Sequence, residues 1–527
     1  MKFSERIYFA SRDNGFLWKS VVAILAHCFL FALLLQVVGD QFRPATSRLA
    51  IAVSEGNTKE IQPLAIAIMQ HGSFSEAVRA LSELTFVIPP GSDEAAGESN
   101  LITLRKVLSK RPEVERAALE YAWTLLMDRR RQKNETPGDV LSQLAEALSP
   151  APLAAGILAE SSGDPAAALA YLAKETTAPY DHEARSRILR LHDRIGNTQT
   201  VRKLIEDPQF FAAASLDLRM RSAAEKGHWG KVWVESFSFV TESRDWTIWL
   251  VTLVAALVWI VLLLRLANAT SFSCSEVWIA LAAFALGAMS ANTTLVAVYW
   301  QDIAMNIRED GTFLGDLLYY VAGVGAREEI LKLAFAVPVL LFLIKDPDDR
   351  RVLLAGGMAG LGFAAQENLM YVASGTAGTA FARFLSANFL HIGLTALTAK
   401  GLMTWCRHPT RGWDQALFII TAAILMHGGY NLLIVQPALA EYSIFAMTII
   451  VVIGFWYFHE VRLARKRDRD MVALNALFVW GLTLILGVGY IACAWENGLG
   501  PAFQIMLATF LVNAVLMFLF FREFDRT

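Results

Sequence analysis

Unbroken apolar runs follow one another along most of the chain, and one long polar segment separates the first run from the rest. Each run is close to the ~20 residues that a helix needs to cross the ~30 Å hydrocarbon core of a bilayer. The runs therefore predict roughly ten transmembrane helices. Their approximate limits are Leu17–Val38, Trp246–Leu264, Val277–Trp300, Leu317–Ile344, Val352–Ser374, Phe384–Trp405, Asp414–Val435, Tyr442–Phe458, Met471–Cys493 and Pro501–Phe521.

The polar segment has a helical pattern and almost none of the alternation that is typical of strands. Breaks in the pattern at Gly163, Gly196 and Gly227 are 33 and 31 residues apart, close to the ~34-residue period of tetratricopeptide (TPR) repeats. The pattern predicts an all-α protein in which a TPR-like solenoid accompanies the membrane helices. Such a region could be a helical spacer, or it could offer a concave surface to a protein partner.

The distribution of Lys and Arg predicts which side of the membrane each segment faces. Alternate loops carry the positive charges, among them Arg265, Lys345, Arg407 and Arg462, and such loops are cytoplasmic. Both termini are then cytoplasmic. The chain divides into an amino-terminal tail and uncleaved signal-anchor helix (1–40), an extracytoplasmic helical region (41–245) and a polytopic membrane domain (246–527) with a core at 317–435.

Composition agrees with a chain that is surrounded by lipid. Hydrophobic residues make up 55% of its 527 residues and charged residues only 18%, whereas about a quarter is usual in soluble proteins. The net charge of −2 argues against a nucleic-acid partner. The four cysteines all lie in apolar runs, so no disulfide framework and no cysteine zinc motif is expected.

Ionisable side chains interrupt four successive spans. The first contains Glu328, Glu329 and Lys332, and the next three contain Glu367, His391 and His427. A charge at the centre of a bilayer costs at least ~2.5–3.5 kcal/mol, so these groups need a reason to be there. Counting ~1.5 Å per residue from the span ends places them all ~10–16 Å below the outer surface. We therefore expect them to meet around one shared water.

Helical spacing adds polar neighbours to each of these groups. Residues three or four apart share a helix face, so Lys332 can reach either of the two adjacent glutamates. The other pairs are Glu367 with Tyr371 beside Asn368, His391 with Thr395, and His427 with Asn431. Glycines near these pairs, such as Gly360 and Gly428, would let the helices approach closely in lipid.

A carboxylate and a histidine that face one water form a general-base pair, and a histidine with an asparagine can donate hydrogen bonds to an oxyanion. This set suits hydrolysis of an amide bond by activated water. A zinc-assisted version, with ligands from Glu329, Glu367, His391 and His427, is equally consistent with the residue types. The chain contains neither a G-x-S-x-G nor an H-E-x-x-H motif, which disfavours covalent catalysis and the usual zincin helix.

The order and spacing of these residues resemble the PrsW family of intramembrane proteases, which belongs with the CAAX prenyl endopeptidases and bacteriocin-processing enzymes. The resemblance covers about 317–435. The matching motifs are Glu328-Glu329-x-x-Lys332, Gly362-Phe-x-x-x-Glu367-Asn368-x-x-Tyr371, His391-x-x-x-Thr395 and His427-x-x-Tyr430-Asn431.

The resemblance implies site-specific cleavage of membrane-anchored proteins, such as anti-sigma factors, on the outer side of a bacterial inner membrane. It also implies that Glu328 or Glu329 activates water together with His391, and that His427 and Asn431 form the oxyanion site. It assigns no definite role to Lys332 and leaves the presence of a metal open.

Two alternatives belong to other classes of protein. Intramembrane carboxylates and histidines also mark ion paths, so the chain could be a transporter or a proton relay. It could also be an inactive scaffold in which the outer helical region binds partners. The cytoplasmic half of the spans has no matching chain of acids, which disfavours an ion path.

Overall fold

A computed structural model describes residues 3–39, 44–54, 56–87, 102–132, 137–241, 246–268, 275–372, 377–465 and 472–524. Within these ranges the chain forms helices and turns and no β-strand. Two compact units can be separated: one is Val38–Ser222, and the other combines Met1–Val37 with Ala223–Thr527.

The unit Val38–Ser222 is built from short amphipathic helices around one apolar core. Its most deeply buried side chains include Leu81, Leu119, Leu153 and Leu172. The helices are α3 (Ala45–Ser54), α4 (Thr58–His71), α5 (Phe74–Val87), α6 (102–108), α7 (Glu113–Gln132), α8 (Pro137–Ala145), α9 (Ala151–Ser161), α10 (Pro165–Leu172), α11 (Tyr180–Arg194), α12 (Thr198–Ile205) and α13 (Pro208–Ala213), and α14 (Leu216–Glu225) contains the boundary of the unit.

Glycine turns separate successive helices of this unit at the breaks seen in the sequence. Gly163 and Gly196 have φ of +79° and +73°, a left-handed conformation that favours glycine. The next residues, Asp164 and Asn197, cap α10 and α12 with their side-chain oxygens. The structure thus has helix–turn–helix pairs at these positions, and the TPR-like repeat stays a prediction.

The second unit holds the long apolar helices together with shorter ones. They are α1 (Phe3–Ala10), α2 (Asn14–Gly39), α15 (Trp229–Thr241), α16 (Trp246–Leu266), α17 (Ser275–Trp300), α18 (Phe313–Leu318), α19 (Arg327–Phe342), α20 (Asp349–Val372), α21 (Ala377–Arg407), α22 (Trp413–Val435), α23 (Phe445–Ala464), α24 (Leu474–Asn497) and α25 (Leu499–Phe524). Segments of π-helix at Gln301–Met305 and Tyr319–Ala326 and a 3-10 helix at Pro437–Tyr442 lie between them.

Six helices in the described part of the chain are long and apolar enough to cross a membrane. They are Asn14–Val37, Trp249–Leu266, Ser275–Met305, Trp413–Val435, Phe445–Ala464 and Leu474–Asn497. These helices support a polytopic membrane protein. The count of about ten spans stays a prediction, because α19, α20, α21 and α25 do not belong to the six. Helix α19 has 16 residues and directly follows the π-helix Tyr319–Ala326.

Glycines let α20 pack tightly against the helices on either side of it. At Gly360 a Cβ atom would collide with the backbone carbonyl of His391 on α21. On the other side, Gly362 meets the carbonyl of Phe284 on α17 in the same way. Close backbone approach of this kind is what small residues permit in membrane helices. It places Glu367 of α20 beside His391 of α21.

A second close approach joins the π-helix Tyr319–Ala326 to α22. A Cβ atom at Gly325 would lie 2.5 Å from the carbonyl oxygen of Ile424, and one at Gly428 would lie 2.6 Å from that of Tyr320. The π-helix continues directly into α19, so this contact brings the first turn of α19 against the middle of α22. Glu328 and Glu329 therefore face His427.

Gly360→Ala should destabilise the protein, because the added methyl group must push α20 away from the backbone of α21. Overpacking of this kind costs about 1–3 kcal/mol, which would lower the melting temperature in detergent. Gly357→Ala is the matched control, since its Cβ would meet side chains at an ordinary 3.5 Å. Equal melting temperatures for the two variants would contradict the close approach at Gly360.

Candidate active site

Glu329 is the centre of a buried hydrogen-bond network among four helices, α19, α20, α21 and α22. Its side chain is 1% exposed, and its Oε1 accepts hydrogen bonds from Lys332 Nζ at 2.5 Å and from His427 Nδ1 at 2.7 Å. An ionised carboxylate only accepts hydrogen bonds, so Nδ1 of His427 must carry the proton. The neutral ring then has its lone pair on Nε2.

Glu328 lies next to that lone pair. Its Oε2 is 3.5 Å from Nε2 of His427 and, within the described residues, accepts no hydrogen bond. Its Oε1 is 4.0 Å from the guanidinium of Arg327, which in turn donates a hydrogen bond to Gln301. A buried oxygen without a hydrogen-bond donor therefore lies close to a basic nitrogen, and a small polar molecule beside the two atoms could contact both.

His391 has a different role in the network, because both of its ring nitrogens are occupied. Lys332 Nζ lies 2.9 Å from Nδ1, and Glu367 Oε2 lies 3.0 Å from Nε2. An ammonium group only donates, so Nδ1 accepts and Nε2 donates its proton to Glu367. The ring stands edge to face with that of His427, with centroids 5.0 Å apart. His391 therefore links Lys332 to Glu367.

Two pairs of polar side chains hold the helices next to the network. Asn368 donates a hydrogen bond to Asn388 at 2.9 Å, which joins α20 to α21. The hydroxyl of Tyr430 donates to Ser386 at 3.0 Å, which joins α22 to α21. Asn388 and Ser386 were not selected from the sequence. Both lie one to two turns before His391, so a search for polar residues on neighbouring turns would have found them.

The other residues selected from the sequence differ in their surroundings. Asn431 lines a cavity beside the network. Thr395 is buried, and its hydroxyl has no hydrogen-bond partner in the described part of the chain. Tyr371 lies on the last turn of α20, and its side chain is outside the described residues. The structure therefore brings together both glutamates at the start of α19, Lys332, Glu367, His391 and His427.

A cavity of about 590 Å³ opens onto the network. Glu328, Glu367 and Asn431 lie in its wall, and the rest is mainly apolar and aromatic. The main apolar and aromatic lining residues are Leu295, Val298, Tyr319, Val324, Phe363 and Ile434. A mostly apolar cavity with a few convergent polar groups is the usual form of a binding site, and its volume lies within the range of ligand pockets.

Three residues of the network could hold a metal ion. Glu328, His391 and His427 each offer a ligand atom, and these atoms lie within 4.8 Å of one another. Ligands ~2.0–2.2 Å from a tetrahedral zinc ion are separated by about 3.3–3.5 Å, which agrees with the gap between Glu328 and His427. Glu329 supports His427 from behind, as a carboxylate behind a metal-binding histidine does. The set thus differs from the sequence expectation, which named Glu329 and Glu367 beside the two histidines and did not name Glu328.

The chain is similar to one known protein family over this region. Residues 275–457 match the model of a family described as PrsW family intramembrane metalloprotease, and the match includes the whole network. The match supports a relation to the PrsW family and, in general, an intramembrane protease function. The relation to the CAAX group stays a prediction. No curated protein and no solved structure matches the chain.

Lys332→Met should destabilise the protein strongly. Lys332 is fully buried, so its loss leaves the buried carboxylate of Glu329 without its cation. Removing one partner of a buried ion pair costs about 3–5 kcal/mol. Thermal unfolding in detergent would measure this. Lys400→Met, which removes a half-buried lysine from its pair with Glu460, should cost less. An equal or larger loss for Lys400→Met would contradict the central place of Lys332.

Proposed function

We propose that this chain is an intramembrane endopeptidase that hydrolyses peptide bonds of membrane-anchored proteins with a water activated between Glu328 and His427. One observation carries the proposal: the unpartnered Oε2 of Glu328 faces the free Nε2 of His427 at 3.5 Å, at the edge of an apolar cavity. A water there could be held by both groups and directed at a substrate carbonyl in the cavity.

The hydrogen bonds favour a different role for each residue of the network. Glu328 accepts the proton of the attacking water and returns it to the leaving amine, so that proton transfer balances over the reaction. Glu329 fixes the tautomer and the orientation of His427. Asn431, in the cavity wall, would donate a hydrogen bond to the oxyanion. His391 acts through Lys332 and Glu367 and not as the base, which differs from the role that the family resemblance implied.

A divalent metal such as Zn²⁺ fits the same residues. Glu328 and His427 have a free oxygen and a free nitrogen at a suitable separation, and His391 would join them by exchanging one of its present hydrogen bonds. A bound metal would polarise the scissile carbonyl and make a coordinated water more acidic. Glu329 would then hold the proton on Nδ1 of His427, and Lys332 would keep Glu329 ionised.

The proposed substrate and location rest on the family resemblance and on the distribution of basic residues. We propose a membrane-anchored regulatory protein, such as an anti-sigma factor, as the substrate, and a bacterial inner membrane as the location. The basic loops favour cytoplasmic termini and an extracytoplasmic segment 41–245. That segment could contribute to substrate selection by binding a protein partner.

Glu328→Gln should abolish hydrolysis, because an amide cannot accept the proton of the attacking water. Glu329→Gln should lower activity by about 10–100-fold, the usual effect of losing a group that orients a catalytic histidine. Comparative membrane proteomics of cells that express each variant would identify a precursor that accumulates, and its cleavage rate can then be measured.

The exposed Glu441 provides the control, because Glu441→Gln removes a carboxylate outside the network. It should leave cleavage unchanged. Full cleavage by the Glu328→Gln protein at normal abundance would exclude the proposed base. A proton relay would instead give pH-driven flux in liposomes that does not depend on any protein substrate.

The purified protein should bind about one Zn²⁺ per chain, since the site offers three protein ligands and an open position. His427→Gln should remove most of this binding, and Glu441→Gln should not. Metal analysis and calorimetric titration of the chelator-treated protein would measure the stoichiometry without an activity assay. Binding that persists in the His427→Gln protein would place the metal elsewhere or show that it is adventitious.

A further inference from the structure

Asp316 is a buried carboxylate outside the catalytic network. Its side chain lies in α18 and is 1% exposed. Oδ1 accepts hydrogen bonds from the backbone N–H groups of Asp310 and Gly311, both at 3.1 Å, and Oδ2 accepts one from Gln436 Nε2 at 2.8 Å. A buried carboxylate is costly unless its oxygens are hydrogen-bonded, so these three donors hold it in place.

The three segments that meet at Asp316 each form part of the cavity wall. The loop before α18 contributes Glu309, the π-helix after α18 contributes Tyr319, and the end of α22 contributes Val435. Gln436 directly follows Val435 and caps the 3-10 helix through its Oε1, which accepts from the N–H of Ala438. Asp316 does not itself line the cavity. It can therefore affect the cavity only by holding these walls together.

The same contact spans the two helices that carry Glu328 and His427. Asp316 precedes Glu328 by 12 residues, and Gln436 follows His427 by nine. The contact therefore joins the end of α22 to the segment before α19, several turns from both Glu328 and His427. The intervening chain includes the π-helix Tyr319–Ala326. A π-helix has i→i+5 hydrogen bonds where an α-helix has i→i+4 bonds, so converting this segment to α-helix would rotate the residues that follow it. Glu328 would then turn away from His427.

We propose that Asp316 and Gln436 are positioning residues that set the width of the cavity and keep Glu328 aligned with His427. This inference rests on the proposed function for its catalytic consequence, but the placement of the walls can be tested without it. We call the two residues and their hydrogen bond the outer clasp.

The outer clasp allows a test by exchange of donor and acceptor. In Asp316→Asn, the side-chain oxygen can still accept from the loop, but its new amide group faces the amide of Gln436. In Gln436→Glu, two carboxylates face each other. The double variant restores a donor opposite an acceptor, with the roles reversed and the Ala438 cap retained. Both single variants should therefore loosen the contact, and the double variant should restore it.

Cavity opening can be followed by introducing Leu295→Cys on α17 and measuring its rate of reaction with a maleimide by peptide mass spectrometry. Loss of the outer clasp should raise the rate about tenfold in each single variant, the change expected when a hydrogen bond to a charged group is lost. The double variant should return to within about twofold of the parent. Asp414→Asn, on an exposed aspartate of α22, should not change the rate.

The same labelling in the Glu328→Gln background separates this inference from the proposed function. The maleimide reaction rate of Leu295→Cys in the Glu328→Gln protein should equal its rate in the protein with Glu328, whether or not the protein is a protease. With an identified substrate, each single variant should also lower kcat, and the double variant should recover it. Single variants that label at the parent rate, or a double variant as fast as the singles, would overturn the outer clasp. If Asp316→Asn does not fold, the labelling rates of Gln436→Glu and of the double variant still test the outer clasp.

Discussion

The structure of the site depends on one buried carboxylate that is shared between a lysine and a histidine. Glu329 receives the ammonium of Lys332 and the Nδ1 proton of His427 on a single oxygen. Neither the carboxylate of Glu329 nor the ammonium of Lys332 would be stable alone in an apolar environment, because an unpaired buried ion costs several kcal/mol. The ionised carboxylate of Glu329 therefore determines which ring nitrogen of His427 is free. The free nitrogen in turn determines which neighbouring group can share a water with the histidine.

Tight helix packing makes this network possible. Glycines at the crossings of α20 with α21, and of the π-helix with α22, remove the side chains that would otherwise separate the backbones. The π-helix places two glutamates and Arg327 in the first turn of α19, at the end of the cavity. Segments of π-helix occur often at functional sites, where an altered helical turn reorients side chains. Here the consequence is that an unpartnered carboxylate oxygen faces a basic nitrogen.

The cavity and the network supply different parts of the proposed reaction. The apolar walls suit a segment of a membrane-anchored chain, and the polar groups at one end suit attack on its carbonyl. The family match over 275–457 supports protease function. The hydrogen bonds suggest which residue could take each step of the reaction. The outer clasp, far from the chemistry, links the cavity walls to the same two helices.

The sequence by itself determined that the chain is helical and polytopic, and which ionisable residues needed explanation. Apolar runs are a local property, and a charge within such a run stands out at any position. Helical spacing also paired Lys332 correctly with Glu329 within one span. Only the tertiary structure decided which of these residues meet, because the contacts join residues 98, 59 and 24 positions apart, as in Glu329 with His427, Lys332 with His391, and Glu367 with His391. The choice of Glu328 over Glu329 as the free carboxylate, and the link from Asp316 to Gln436, arise from helix register and crossing, for which a single sequence has no local signal.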